Sequence, residues 1–107
     1  MKRREIWWVS FDPSIGTEVK KTRPAIIISN DVSNKVLSRV QAVPITSKII
    51  KLYPSESIVI INGIQHKAMA DQIATVSKVR LKKRIGKISS EEMQNLERVI
   101  KLQLELD

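Results

Sequence analysis

Short apolar and alternating runs occupy most of the chain, and a helical stripe takes over only at its end. Glu5 to Phe11 (EIWWVSF) is rich in β-formers and predicts a first strand, with Asp12-Pro13-Ser14 as its turn. The adjacent Trp7 and Trp8 point to opposite faces of such a strand. One belongs to the core; the other packs under a neighbouring loop or offers a stacking surface. Ser14 to Lys21 is polar, holds Gly16 and is bracketed by Pro13 and Pro24, which predicts a long loop of the kind that often binds ligands. Pro24 to Ser29 contains three consecutive isoleucines, a continuous apolar run that predicts a strand buried on both faces. Asn30 to Asn34 carries turn and cap residues for one helical turn. Arg39 to Thr46 is the next strand, with Pro44 near its end, where a missing ladder donor is tolerated. A second exposed loop, Ser47 to Ser57, leads into a strand at Ser57 to Ile61 that closes on an Asn62-Gly63 turn.

Beyond that turn, Lys67 to Val76 (KAMADQIATV) predicts a strand interrupted by Asp71-Gln72. A carboxylate and an amide in mid-strand need partners if buried, so they tie down a loop or face a cleft. Ser77 to Leu81 is assigned one helical turn and Arg84 to Ile88 a short strand. Ser89 and Glu92 have the spacing of a capping box ahead of a helix to about Leu106. Met93, Leu96, Val99, Ile100 and Leu104 form its stripe, widened by Leu102 and Leu106. So wide an apolar face suits either the chain's own sheet or a second copy. The fold class expected is mainly β with helix (α+β): a small, strongly bent antiparallel sheet or barrel with a C-terminal helix, one domain over residues 1–107.

Composition narrows the setting. Without cysteine, neither disulfides nor thiolate zinc sites are available, and a reducing cytoplasm is the default compartment. The apolar run after Met1-Lys2-Arg3-Arg4 is broken by Asp12 and Pro13, too short for a signal peptide or a membrane span. A soluble intracellular protein is expected. The formal net charge of +8 points to a polyanionic partner. Its distribution is uneven: residues 1–90 carry 17 Lys/Arg against 6 Asp/Glu, residues 91–107 carry 2 against 5. The densest basic stretch, Lys78 to Lys87, puts six positive and no negative side chains into ten residues.

The candidate chemistry sits where loops meet strands. Arg23 stands where the polar loop enters the apolar run, and Pro24 disfavours the α region for it and holds it extended. Thr46-Ser47 ends the next strand, so an arginine and two hydroxyls reach one rim if the two strands are neighbours, a set suited to phosphate. A guanidinium stays charged and serves as an electrostatic donor rather than a base. The one histidine, His66, excludes an acid–base pair of imidazoles within one chain and reads as a surface residue. Acidic residues are too scattered for a metal centre, and neither a glycine-rich phosphate loop nor a Gly-x-Ser-x-Gly elbow occurs. No cofactor is expected.

The stretches EIWWVSFDPSIGTE, TRPAIIISND, VPITS, ADQIATVSKVRL and RIGKISSEEM, in this order, resemble the MazF/PemK (Kid-like) toxin endoribonucleases of type II toxin–antitoxin systems over nearly the whole chain. The resemblance implies an SH3-like barrel of the CcdB/MazF type with a C-terminal helix, a homodimer, and metal-independent cleavage of single-stranded RNA at a short sequence. It also implies a cognate antitoxin whose flexible acidic tail occupies the RNA groove. Carried over by position, the catalytic arginine and threonine fall on Arg23 and Thr46, and the loop glutamate, the candidate base, on Glu18. Lys20, Lys21, Ser47, Lys48, Asp71 and Gln72 are the candidate RNA-binding residues around them. Val19-Lys20-Lys21-Thr22 stands where the family commonly has a Gln-Ala-Gly-like sequence, adding two lysines and no glycine. Two non-catalytic readings share the fold: a CcdB-like toxin that binds DNA gyrase through the end of its helix, and a basic RNA-binding module without turnover.

Overall fold

The computed structural model describes residues 1–11 and 21–107, Lys21 by its backbone alone. Seven strands run β1 (Glu5–Phe11), β2 (Lys21–Ile27), β3 (Arg39–Thr46), β4 (Glu56–Ile61), β5 (Ile64–Met69), β6 (Ala74–Ser77) and β7 (Leu81–Lys87), with helices α1 (Asp31–Val36) and α2 (Ser90–Leu104). The sheet order is β4-β5-β3-β2-β1-β7, with β6 also paired to β3, and every pairing is antiparallel. β3 is the hub. Arg39 to Ala42 pair with β6, Ala42 to Pro44 with β2, and Ile45-Thr46 with β5. Successive partners along one strand bend the sheet strongly, as the spacing of short strands predicted.

Alternation along β2 explains why the isoleucine run is apolar throughout. Ile26 joins Ile6, Val43, Ile45, Val59, Leu96 and Val99 in the core beneath α2. Ala25 and Ile27 join Val9, Val40, Ala42, Val76 and Leu81 in a second core on the other side. The capping box closes as the sequence required: Glu92 N donates to Ser89 Oγ at 3.0 Å, and Ser89 N donates to Glu92 Oε1 at 2.9 Å. The helical stripe divides, with Met93, Leu96 and Val99 buried and Leu102, Leu104 and Leu106 exposed.

Three expectations are corrected. The second strand, expected from Pro24 to Ser29, runs Lys21–Ile27, so Arg23 and Pro24 lie inside it rather than at its mouth, and only its pairing with β3 stops at Ala25. The strand predicted over 67–76 is instead β5, a 3-10 turn at Ala70–Gln72, and β6. Asn62 and Gly63 both have positive φ, 52° and 78°, the requirement of a two-residue hairpin turn, so β5 starts at Ile64 directly opposite Ile61. Its chain must then turn a corner to reach the other half of β3. Asp71 and Gln72 occupy that corner, exposed to solvent rather than buried in mid-strand. The last strand also begins earlier than predicted, at Leu81. Val9, Trp8, Trp7 and Ile6 face Leu81, Lys83, Arg84 and Gly86, so Lys82 and Ile85 are extra residues at two bulges, and they conceal the period-2 pattern.

Glu5 ties the start of the fold together. Its carboxylate accepts from Trp7 Nε1 and Lys2 N, at 3.0 and 2.9 Å, and pairs with Arg84 at 3.1 Å. Burial raises its pKa, but the bonds from Trp7 and Lys2 and the charges of the N-terminus and Arg84 outweigh it and hold the value below the ordinary 4.5. A depressed carboxyl stabilises the fold above its unfolded pKa, and that contribution is lost as pH falls through the folded value. Glu5→Gln should therefore lower stability at neutral pH by about 1 kcal/mol. The difference from wild type should vanish below the carboxylate range, as urea titrations at both pH values would show; an equal difference at both would refute the linkage.

Candidate active site

The β2–β3 ladder stops at Ala25↔Pro44, and both strands run on beyond it. Continued two residues outward on each strand, the register sets Arg23 across from Thr46. Both residues line one cavity of about 500 Å³, shared with Trp8, Thr22, Pro24, Ile45, Ser47 and His66. Trp8 arrives from β1 as the cross-strand partner of Pro24. It is 39% exposed, whereas Trp7, on the opposite face, packs against the second core.

Hydrogen bonding orients the polar groups. Lys48 N donates to Thr46 Oγ1 at 3.2 Å, which leaves the hydroxyl proton free to be donated outward. Arg23 is half-buried, and no carboxylate among the described residues pairs with it. An uncommitted guanidinium beside a hydroxyl donor matches the non-bridging oxygens of a phosphodiester. His66 is the residue that sequence reasoning passed over. Its Nδ1 lies 3.0 Å from the Ile64 carbonyl. A carbonyl only accepts, so this contact places a proton on Nδ1 and does not engage Nε2. Nothing local in the sequence signals this placement, because it depends on the β4–β5 hairpin folding back onto β3.

Of the other candidates, Ser47 lines the cavity, and Lys48 is exposed immediately after it. Asp71 does not reach it; it lines a separate cavity of about 960 Å³ with Tyr53, Leu102 and Leu104. Gln72 is exposed beside Asp71 and donates to Met69 Sδ at 3.4 Å. Glu18 and Lys20 lie outside the described residues, as does the side chain of Lys21. The loop after Thr46 is anchored from below. Lys67 Nζ pairs with Glu56 Oε2 at 3.1 Å and donates to the Lys51 carbonyl at 3.0 Å, while Glu56 Oε1 accepts from Tyr53 N at 2.8 Å. Among the described residues no three metal-ligating side chains cluster, and no helix is long and apolar enough to cross a membrane.

Comparison with known proteins places this geometry. Residues 2–104 match the family of PemK-like, MazF-like toxins of type II toxin–antitoxin systems. The chain is 38% identical to the endoribonuclease MazF9 of Mycobacterium tuberculosis, over 99% of this chain and 98% of that one. It is 32% identical to the endoribonuclease toxin MazF of Escherichia coli, over 84% of this chain and 81% of that one. In fold it is similar to the crystal structure of MazF from Deinococcus radiodurans, with a TM-score of 0.84 at 22% identity, covering 99% of this chain and 97% of that one. A MazE–MazF complex from the same organism gives the same TM-score at 22% identity, over 100% of this chain and 97% of that one. A family match over nearly the whole length, with a full-length relative at this identity, is decisive: the chain belongs to the PemK-like, MazF-like toxins of type II toxin–antitoxin systems.

Proposed function

We propose that this endoribonuclease toxin cuts single-stranded RNA without a metal, by attack of a ribose 2′-hydroxyl on the adjacent phosphodiester. The observation that carries the reading is the meeting of Arg23 and Thr46 in one cavity, just beyond the paired part of β2 and β3. The P–O2′ bond forms and the P–O5′ bond breaks, leaving a 2′,3′-cyclic phosphate and a 5′-hydroxyl. The 2′ proton passes to a base, and the departing 5′ oxygen takes one from water. Arg23 lies against the non-bridging oxygens as their charge grows, and Thr46 donates its hydroxyl proton to the same group. Glu18 is assigned as the base on the family resemblance; Glu18→Gln should flatten the acid limb of the pH–rate profile.

Arg23, without a carboxylate partner among the described residues and in one cavity with Thr46, favours a phosphate-handling site over the gyrase-binding reading. Mapping the fragment ends is the experiment that separates them. Purified protein should leave 5′-hydroxyl and 2′,3′-cyclic phosphate ends at one short sequence, at the same rate with and without EDTA. A 5′-phosphate end, or inhibition that magnesium reverses, would overturn the mechanism, and intact RNA would favour a non-catalytic protein.

The same reading sets the partners. A cognate antitoxin with an acidic tail suits a body of high positive charge, and the cytoplasm is the compartment where the RNA is found. Exposed Leu102 and Leu104, which line one cavity with Tyr53, supply an apolar surface for a homodimer. Sedimentation of the protein alone would read the dimer, and a single-chain mass at working concentration would remove it.

A further inference from the structure

Among the described residues the cavity is lined by one Lys or Arg, Arg23, and none of the basic stretch of residues 78–87 lines it. Register supplies a link. Trp8 has Pro24 as its partner on one side and Lys83 on the other. Cross-strand partners project to the same face, with Cβ atoms roughly 5 Å apart. Arg23 is the partner of Val9 and leaves β2 on the other face, but Trp8 lines the same cavity, so an indole 39% exposed joins that cavity to a lysine on the next strand. Ile6, two residues back on the same face, is 2% exposed in the core beneath α2, so Trp8 marks the point where that cover ends.

The neighbouring cations are committed elsewhere. Arg84 pairs with Glu5 at 3.1 Å, and Lys82 Nζ donates to the Val79 carbonyl at 3.3 Å. Lys83 is exposed and has no such partner among the described residues. An open aromatic face next to an uncommitted ammonium has the chemistry of a nucleotide: a base stacks on the ring and a phosphate meets the charge.

We infer that Trp8 and Lys83 form a nucleotide subsite that carries single-stranded RNA out of the cavity and over β1 to β7, one base stacked on Trp8 and its phosphate held by Lys83. The inference rests on the cavity holding the scissile phosphate, and its test separates the two. Binding is measured with a 2′-O-methylated single-stranded RNA, which cannot be cut, and cleavage is followed in parallel on ordinary RNA.

Trp8→Ala should weaken binding roughly tenfold to a hundredfold, and Trp8→Phe should restore most of it, as expected for stacking. Wild-type fluorescence should be quenched by the RNA, and the quench should disappear in Trp8→Phe, where Trp7 alone remains. Lys83→Ala should reduce the slope of log affinity against log salt by about 0.7, the loss of one phosphate contact on a single strand, while Lys82→Ala leaves the slope unchanged. Unaltered affinity in Trp8→Ala, or equal slopes for the two lysine variants, would overturn the subsite even if the wild type cuts RNA. A fluorescence response to polyglutamate with none to RNA would assign this face to an acidic protein tail and overturn it as well.

Discussion

Arg23→Ala is expected to lower single-turnover cleavage by about a hundredfold to a thousandfold while leaving the fold intact. Removing one preorganised donor from a developing oxyanion costs about 3 kcal/mol, and here the donor carries a full charge. Arg23 is half-buried within β2, beyond the part of that strand paired to β3, with no carboxylate partner among the described residues, so its loss strands no buried ion and creates no core cavity. Arg23→Lys should recover only part of the rate, because an ammonium has charge without the planar fork. Thr46→Ala removes a neutral donor, and its effect should be smaller, about tenfold. Quench-flow or gel kinetics with saturating enzyme, together with thermal melts, measure both quantities. An Arg23→Ala enzyme within tenfold of wild type and equally stable would remove the guanidinium from the reaction.

Lys67→Met should produce the largest loss of stability, about 3 kcal/mol, because it leaves a buried carboxylate without its counter-charge. The side chains of Lys67 and Glu56 are 12% and 7% exposed. Lys67 also lies near the Tyr53 ring, its Nζ 5.6 Å from the centroid. Losing it releases both the Lys51 carbonyl and the Glu56 carboxylate, and the segment after Thr46 loosens with them. The double variant Glu56→Gln/Lys67→Met keeps an acceptor for Tyr53 N and removes both charges, so it should recover most of the loss. Urea unfolding of the single and double variants decides the point: two equally destabilised proteins would mean that packing, not the orphaned charge, sets the cost.

The two predictions differ in where their residues could be recognised. Arg23 and Thr46 stood out along the chain because Pro24 holds the arginine extended where a polar loop meets an apolar run, and because Thr46 ends the next apolar run, although β2 proves to begin two residues before Arg23. Lys67 carried no such mark, since its counter-ion is eleven residues away and the two meet only through β4–β5 pairing. The same holds for His66. Its own strand was misplaced, because the tight Asn62-Gly63 turn starts β5 earlier than apolar content suggests.

Local chemistry determined the strands β1, β3 and β4, the two-faced burial of the isoleucine run, the capped helix α2 and the threonine at the end of β3. Each depends on period, turn residues or caps within a few neighbours. Tertiary structure alone decided that Asp71 and Gln72 turn a corner away from the cavity, that Trp8 rather than Trp7 opens towards it, and that Lys83 stands beside Trp8. These follow from inter-strand register and from two bulges in β7, which arise only when distant segments pair and leave no periodic trace in either segment alone.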